Sequence, residues 1–146
     1  MRGCAITFYY FCSMTKLQKK QLIITESMRY IDNALEILKS KAKPNYITYE
    51  DKKYVRMAGH TAYHGVLHAI NEAGLVKLKK GQRPDVKDYV AALAKENGKM
   101  KDYFNVCYQI FHIELGYDGF ADKKTLPIYI SRAKELIQWA ATKAAA

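Results

Sequence analysis

The sequence predicts an all-α protein, an up-and-down four-helix bundle with one short extra helix between the second and third long helices. Apolar residues recur at spacings of three and four along most of the chain, which is the period of a helix that buries one face. Pro44, Gly74, Gly98 and Gly116 interrupt this pattern and divide it into helical segments with short connections. The alternation of apolar and polar residues that is typical of strands is missing. Long amphipathic helices with short connections favour a bundle.

The chain of 146 residues is predicted to form one domain. Residues 1–25 are expected to be a disordered or artefactual leader, and residues 26–143 to be the single bundle domain. The apolar run CAITFYYFC near the start lacks the cleavage-site pattern of a secretory signal and is too short to span a membrane. Met14 or Met28 is therefore an alternative start of the native chain.

The first two long helices are predicted from their apolar faces. The face of the first carries Met28, Ile31, Leu35, Leu38 and Ala42. Pro44 ends it, and Thr48 with Asp51 three residues later resembles a capping box that opens the second helix, which runs to Gly74. One narrow face of the second helix carries mostly small residues, namely Val55, Ala58, Ala62, Val66, Ala69 and Ala73. With Gly65 beside them, these residues allow a neighbouring helix to approach closely.

The middle of the chain predicts a short helix and then a third long one. Asp85 can cap the short helix, which runs to about Glu96, and the Asn-Gly pair ending at Gly98 marks a break. The third long helix keeps the 3.6-residue period with Met100, Tyr103, Phe104, Cys107, Ile110, Phe111 and Leu115. Gly116 is placed to terminate this helix, just before the loop GYDG.

The last helix is predicted to start at Thr125, with Pro127 in its first turn. Its buried side carries Tyr129, Ala133, Leu136, Ile137 and Ala140. The terminal ATKAAA is expected to fray.

The chain is basic, with 24 Lys and Arg against 14 Asp and Glu, a formal net charge of +10. Such a balance suits an acidic partner, either nucleic acid or an anionic protein surface. The densest basic loop is a candidate nucleic-acid-binding site and contains Lys77, Lys79, Lys80 and Arg83. The simpler interpretation is a solvated loop, because no known nucleic-acid-reading motif accompanies the charge.

The cysteines exclude two classes of small domain. Cys4, Cys12 and Cys107 form an odd set without CxxC spacing, so neither a disulfide framework nor a zinc ribbon is indicated. This usage predicts a reducing, cytoplasmic compartment. Cys107 falls on the predicted core face of its helix, which is typical of an inert thiol. Gly-rich phosphate loops are also missing, so no cofactor and no catalytic residue are predicted.

Three of the four histidines, His60, His64 and His68, lie at successive i, i+4 steps of the second helix. Adjacent members of such a row can chelate a transition metal. Each step turns by about 40° around the helix, however, so His60 and His68 diverge. The row also falls opposite the face of small residues, which predicts a solvent-exposed or partner-facing row. The Glu-x-x-His pairs of di-iron bundles are missing, and no metal is predicted.

Two segments resemble a known family. The helix DKKYVRMAGHTAYHGVLHAI, with the later helix and loop YFNVCYQIFHIELGYDG, is similar to a small, uncharacterised bacterial family of helical proteins over about residues 28–139. That family resembles in architecture the HEPN domains, which are four-helix bundles found in toxin RNases and beside nucleotidyltransferases. The resemblance implies a HEPN-like bundle for this chain.

The residues that match the family motif form a candidate functional cluster of His60, Tyr63, His112, Tyr117 and Asp118. Gly119 matches as well, whereas His64 and His68 look peculiar to this chain. The HEPN RNases carry an arginine shortly upstream of a histidine. Upstream of His112 the chain instead has Asn105, Val106 and Cys107, so this signature is broken. An RNase would then lack the cation that stabilises charge on the scissile phosphate.

Two functions therefore stay open. The favoured hypothesis is a non-catalytic helical binding or assembly module for a protein or RNA partner, with a homodimer also open and no membrane partner. The alternative is a HEPN-type RNase, or its degenerate relative, in which a histidine acts as general acid or base. His112, Tyr117 and Asp118 are expected to act as one unit, as a polar lock for the loop or as part of a cleft. A purely structural role, with His112 at a helix end and a turn at Asp118-Gly119, fits the same residues.

Overall fold

The computed structural model describes residues 14–146, and this part of the chain is helical without strands. The α-helices are α1 (Lys16–Ser40), α2 (Lys52–Glu72), α3 (Val86–Glu96), α4 (Gly98–Cys107) and α5 (Leu126–Ala145). A π-helix, Tyr108–Asp118, continues directly from α4, so the two together form the third long helix. The predicted all-α bundle with one short extra helix is confirmed.

The four long helices pack around one core. α1 contacts α2 and α5, α2 contacts the π-helix, and α4 contacts α5, while the short α3 packs against α4. The largest fully buried side chains come from all of these helices and include Ile31, Ile70, Leu93, Phe104, Phe111 and Leu136. None of the helices in residues 14–146 has the length and apolar character needed to cross a bilayer.

α1 begins earlier than the sequence pattern indicated. Thr15 and Gln18 form a capping box at its start, and Ile23 and Ser27 are buried. The predicted domain boundary at residue 26 falls inside this helix, which starts at Lys16 and whose buried face starts at Ile23. Residues 1–13 of the predicted leader lie outside the described residues.

α2 is capped by Asp51, whose carboxylate accepts a hydrogen bond from the Lys53 amide at 3.2 Å. Thr48 was predicted to be the cap, and this is wrong, since its hydroxyl donates instead to the Ala121 carbonyl at 2.6 Å. The predicted face of small residues is buried at Val55, Ala58, Ala62, Val66 and Ala69, while its last member, Ala73, is half-buried just after the helix ends. A Cβ on Gly65 would lie 2.8 Å from the Tyr30 Cβ, so α1 and α2 are in close contact there.

The predicted short helix and the break after it are confirmed. Asp85 caps α3 together with Asp88, and the Asn97 side chain caps α4. α5 starts as predicted, with Thr125 as its N-cap and Pro127 in the first turn. The Thr125 hydroxyl donates to the Asp122 carboxylate at 2.8 Å rather than accepting from the helix.

Gly116 does not terminate the third helix, so that prediction is wrong. The π-helix continues to Asp118, and Gly119 ends it with a φ of 69°, its amide donating to the Leu115 carbonyl at 3.0 Å. The buried residues Ile110 and Phe111 repeat five positions later as Leu115 and Gly116, which is the hydrogen-bonding step of a π-helix rather than of an α-helix.

Candidate functional site

Two glycines bring α2 and the π-helix into unusually close contact. A Cβ on Gly59 would lie 2.5 Å from the Leu115 Cβ and 2.6 Å from the Phe111 carbonyl oxygen. A Cβ on Gly116 would lie 2.8 Å from the His60 Cε1. Because neither position has a side chain, the backbones of α2 and the π-helix come into contact at this crossing. The side chains beside the crossing therefore pack closely.

The side chains beside this crossing form a cluster of rings, which we call the His/Tyr cluster. Its members are His60, Tyr63, Tyr108, His112 and Tyr117. His112 is central, with its ring centroid 4.8 Å from that of Tyr63, 5.1 Å from Tyr117, 5.3 Å from Tyr108 and 5.6 Å from His60. The contact with Tyr117 is edge-to-face, at 87°, a favoured geometry for ring pairs.

Arg56 connects the cluster to the end of the π-helix. It lies one helical turn before His60 on α2, and its Nε donates to the Tyr117 carbonyl at 3.0 Å. The terminal nitrogens of its guanidinium make no hydrogen bond within residues 14–146. An exposed cation is therefore held beside the Tyr117 backbone.

The cluster has a buried floor and an exposed edge. Tyr63 is buried and His60 and His112 are half-buried, whereas the Tyr117 side chain is 61% exposed. The His112 Nδ1 is fully enclosed and has no hydrogen-bond partner in the described part of the chain. A ligand from solvent can therefore reach this imidazole only through its other nitrogen or its edge.

Burial and neighbouring imidazoles keep His112 neutral. Its pKa is lowered mainly by desolvation, and further by the nearby His60 and His64. Desolvation also raises the pKa of the Tyr63 phenol, with smaller contributions from Tyr89, Tyr108 and Cys107. The cluster thus holds a neutral imidazole and a protonated phenol at physiological pH.

The structure brings together four of the five residues that the sequence predicts as a cluster, namely His60, Tyr63, His112 and Tyr117. Asp118 does not join them, because it is exposed and its side chain forms no ion pair or hydrogen bond within residues 14–146. The Asp118 part of the expected single unit is therefore not seen. Within residues 14–146 His112 makes no hydrogen bond that locks the loop, and its ring packs against those of Tyr63, Tyr108, Tyr117 and His60.

The three histidines of the row on α2 have different surroundings. His60 packs into the cluster, His64 is exposed, and His68 packs against Tyr30 of α1 with ring centroids 6.0 Å apart. Of the predicted solvent-exposed or partner-facing row, only His64 is fully exposed, because His60 and His68 are half-buried against the π-helix and α1. In residues 14–146 no three His, Cys, Asp or Glu side chains are grouped in a way that could hold a metal ion.

The predicted basic loop lies at the opposite end of α2 from Arg56. Lys77, Lys79, Lys80 and Arg83 are all exposed and follow the C-terminal end of α2. Arg56 lies near the other end of that helix, and at 1.5 Å per residue the distance from Arg56 to Glu72 is about 24 Å. The two candidate surfaces are therefore separate.

Sequence reasoning missed two residues of the site. Tyr108 lies one helical turn before His112 and contacts it, but its place at the start of the π-helix was not visible from the α-helical period. Arg56 lies on a different helix from His112, so the positions upstream of that histidine did not reveal it. Its i, i+4 relation to His60 is the signal that would have found it.

The family model of a domain of unknown function, DUF5618, matches residues 23–142 of this chain. The chain belongs to the DUF5618 family. A solved structure of a protein of unknown function from Dyadobacter fermentans is 36% identical to the chain, with a TM-score of 0.77. This similarity covers 84% of the DUF5618 chain and 96% of that protein. Among curated proteins there is no match.

The predicted membership of an uncharacterised family of helical proteins is confirmed. The DUF5618 match begins at residue 23, the first buried position of α1. It ends at residue 142, within α5. The match therefore contains the whole helical crossing at Gly59 and Gly116, including every residue of the His/Tyr cluster and Arg56.

Acid is expected to weaken the fold of this DUF5618 protein through His112. Because folding lowers the pKa of His112, the unfolded chain binds more protons than the folded chain as the pH falls past the unfolded-state pKa. The contribution to stability is complete above that pKa and is lost as the pH falls through the lower folded-state pKa. Urea unfolding between pH 8 and pH 5 (roughly the range in which histidines titrate) measures this slope.

The control for this prediction is a pair of histidine variants. His112→Phe keeps a ring but cannot titrate, so its free energy of unfolding should depend less on pH than that of the wild type. His68→Gln, outside the His/Tyr cluster and beside Tyr30 of α1, should keep the wild-type dependence. A slope that is unchanged in His112→Phe would contradict the assignment.

Proposed function

We propose that this protein is a non-catalytic helical module of the cytoplasm that binds single-stranded RNA at the His/Tyr cluster. The observation that carries this proposal is the pairing of Tyr117, 61% exposed, with the Arg56 guanidinium, whose Nε donates to the Tyr117 carbonyl at 3.0 Å. An exposed aromatic ring beside a cation is the combination that single-stranded binders use, since bases stack on the ring and phosphates pair with the cation.

The surroundings of Tyr117 support an anionic, base-containing ligand. His60 and His112 contact the Tyr117 ring, and imidazoles both stack with bases and form hydrogen bonds. Lys52 lies next to Gly119, since a Cβ on this glycine would be 3.0 Å from the Lys52 Cβ. The formal net charge of +10 adds long-range attraction for a polyanion. RNA is favoured over a protein partner because the groups that contact Tyr117 are planar or cationic rather than aliphatic.

Removing the exposed ring or the cation is expected to weaken RNA binding. Tyr117→Ala should cost about 1 to 3 kcal/mol of binding free energy, the range for loss of one stacked base. Arg56→Ala should also weaken binding and reduce its salt dependence, because one phosphate contact is lost. Fluorescence anisotropy with a labelled, unstructured RNA, across a salt series, measures both effects.

Arg29→Ala is the matched control for Arg56→Ala. Arg29 is an exposed arginine on α1 that pairs with Glu26, so its loss changes the net charge equally without touching the cluster. If both arginine variants weakened RNA binding equally, the effect would come from the net charge and not from the position of Arg56. Loss of binding only on replacing Lys79 and Lys80 would place RNA on the basic loop instead. Failure of the wild type to bind RNA, with capture of an acidic protein, would indicate a protein partner.

A second candidate function is RNA cleavage, which a specific pair of residues favours. The ring centroids of His60 and His112 lie 5.6 Å apart. One imidazole can take the proton from a ribose 2′ hydroxyl as its oxygen bonds to phosphorus, while the other protonates the 5′ oxygen as the P–O5′ bond breaks. Arg56, on α2, supplies a cation that is missing upstream of His112 in the sequence. Labelled RNA that is cleaved by the wild type, and left intact by both His60→Ala and His112→Ala, would establish this function in place of simple binding.

A further inference from the structure

The two ring nitrogens of His112 have different surroundings. Nδ1 is fully enclosed, and within residues 14–146 it has no hydrogen-bond partner. Nε2 is not enclosed, since the side chain is only half-buried and this nitrogen lies on its open side. A neutral imidazole has one proton for two nitrogens, so it offers one donor and one acceptor. The nitrogen that carries the proton therefore decides what His112 offers to a ligand.

The enclosed nitrogen is the unfavourable place for this proton. The rings that pack around His112 belong to His60, Tyr63, Tyr108 and Tyr117, and none of these side chains accepts a hydrogen bond from Nδ1. A proton on Nδ1 would create a buried N–H group without an acceptor, which folded proteins rarely contain. A proton on Nε2 stays within reach of water or a ligand and leaves only a lone pair enclosed. Desolvation lowers the pKa of His112, so a second proton on the ring is disfavoured as well.

We propose that His112 carries its single proton on Nε2 and donates it to an acceptor atom of the RNA bound at the His/Tyr cluster. The RNA part of this proposal rests on the proposed function. Acceptor atoms of RNA lie on the base edges and on the phosphates. The base is the expected source, because the His112 ring contacts the Tyr117 ring, with centroids 5.1 Å apart, whereas Arg56 lies at the Tyr117 backbone. His112 then selects for an acceptor on the base that stacks on Tyr117.

The same position of the proton argues against His112 as a general base. A general base needs a free lone pair within reach of the proton that it takes. The free lone pair of His112 is on Nδ1, which substrate cannot reach. As a general acid, His112 would first need protons on both nitrogens, and the one on Nδ1 would have no acceptor within residues 14–146. The Nε2–H form therefore favours RNA binding over RNA cleavage at this site.

The first test locates the proton in the full-length protein without RNA. A long-range proton–nitrogen NMR correlation spectrum at about pH 8, where histidines are neutral, separates the two ring nitrogens of each histidine. The signals of His112 are identified by their loss in His112→Phe. Nδ1 should resonate as an unprotonated nitrogen and Nε2 as a protonated one. A proton found on Nδ1, or averaged signals from two interconverting forms, would overturn the proposal.

The second test asks whether the Nε2 proton is used in binding. A glutamine amide reaches roughly the position of Nε2, whereas the shorter asparagine amide reaches roughly that of Nδ1. His112→Asn should weaken the binding of labelled oligouridine by about threefold to tenfold, the effect of one lost hydrogen bond. His112→Gln should lose less affinity than His112→Asn. His68→Gln, outside the cluster and beside Tyr30, is the matched control and should bind like the wild type.

The results separate this inference from the proposed function. Equal losses of affinity in His112→Gln and His112→Asn would overturn donation by Nε2. With an abasic oligoribonucleotide, His112→Phe should bind as well as the wild type, because the acceptor on the base is gone. A difference that persisted on the abasic strand would overturn the assignment to the base and place the acceptor on a phosphate. A wild type that bound no RNA would overturn the proposed function and the donation to RNA, while the NMR spectrum alone decides where the proton lies.

Discussion

Gly59→Ala is expected to destabilise the protein by about 1 to 3 kcal/mol, the usual cost of forcing an extra methyl group into a packed core. Alanine is the better helix former by about 1 kcal/mol, but this gain is smaller than the steric cost. The added Cβ would lie 2.5 Å from the Leu115 Cβ, 2.6 Å from the Phe111 carbonyl oxygen and 2.7 Å from the Gly116 nitrogen. Two of these atoms are backbone, so α2 and the π-helix must move apart. Urea denaturation measures the change in the free energy of unfolding.

Gly98→Ala is the matched control for this substitution. Gly98 is also a helical glycine, at the start of α4, but a Cβ there would meet nothing within 4 Å. Its replacement should leave the stability unchanged or raise it slightly, because only the helix preference changes. If Gly59→Ala behaved like Gly98→Ala, the close contact of the two helices would not contribute to the fold. Because Gly59 neighbours His60, RNA binding should also weaken in Gly59→Ala.

Phe104→Ala is expected to cost about 3 to 5 kcal/mol, the range for deleting a fully buried aromatic side chain. Phe104 is completely buried and stacks on Tyr89 of α3 with ring centroids 5.4 Å apart and a 25° interplanar angle. It also lies 6.3 Å from the ring of Tyr63, at the floor of the His/Tyr cluster. The substitution should therefore loosen α3 and leave a cavity under the cluster. Chemical denaturation gives the loss of stability.

Tyr103→Ala is the control for Phe104→Ala at the neighbouring position. Tyr103 is only half-buried and lies under Lys99 and Arg132, at 5.2 Å and 5.8 Å from its ring centroid. Its loss should cost roughly 1 kcal/mol, as for exposed cation–π contacts. Comparable losses in the two variants would show that Phe104 has no special place in the core.

Local patterns in the sequence predicted most of the fold, because capping, turn and helix preferences depend on residues that are close together in the chain. Asp85 and the Asn-Gly break at Gly98 end up where their capping and turn preferences place them. The face of small residues on α2 was visible from spacing alone. Thr48 was misassigned because its hydroxyl has a better partner in the Ala121 carbonyl, 73 residues away. No local pattern contains such a contact.

The candidate site was predictable only in part, for two physical reasons. The first is that His60 and His112 meet through a helix crossing, so their separate positions in the sequence gave no distance between them. The second is that the third helix changes its period at Tyr108, which moves the end of the helix from Gly116 to Asp118. Arg56 was missed for the first reason, since its partner is the backbone of Tyr117 on another helix.

The π-helix has a consequence for how members of this family should be aligned. Its turns contain more residues than α-helical turns, so the number of residues between Cys107 and Gly119 determines the direction of each side chain in that segment. A relative that lacked one residue before His112 and kept the wide π-helical turn would point the equivalent side chain well away from α2, because each residue advances a large part of a turn. An alignment gap in this segment therefore indicates a changed surface, even when the neighbouring residues are identical. Segment length is as informative as residue identity when relatives that share this site are sought.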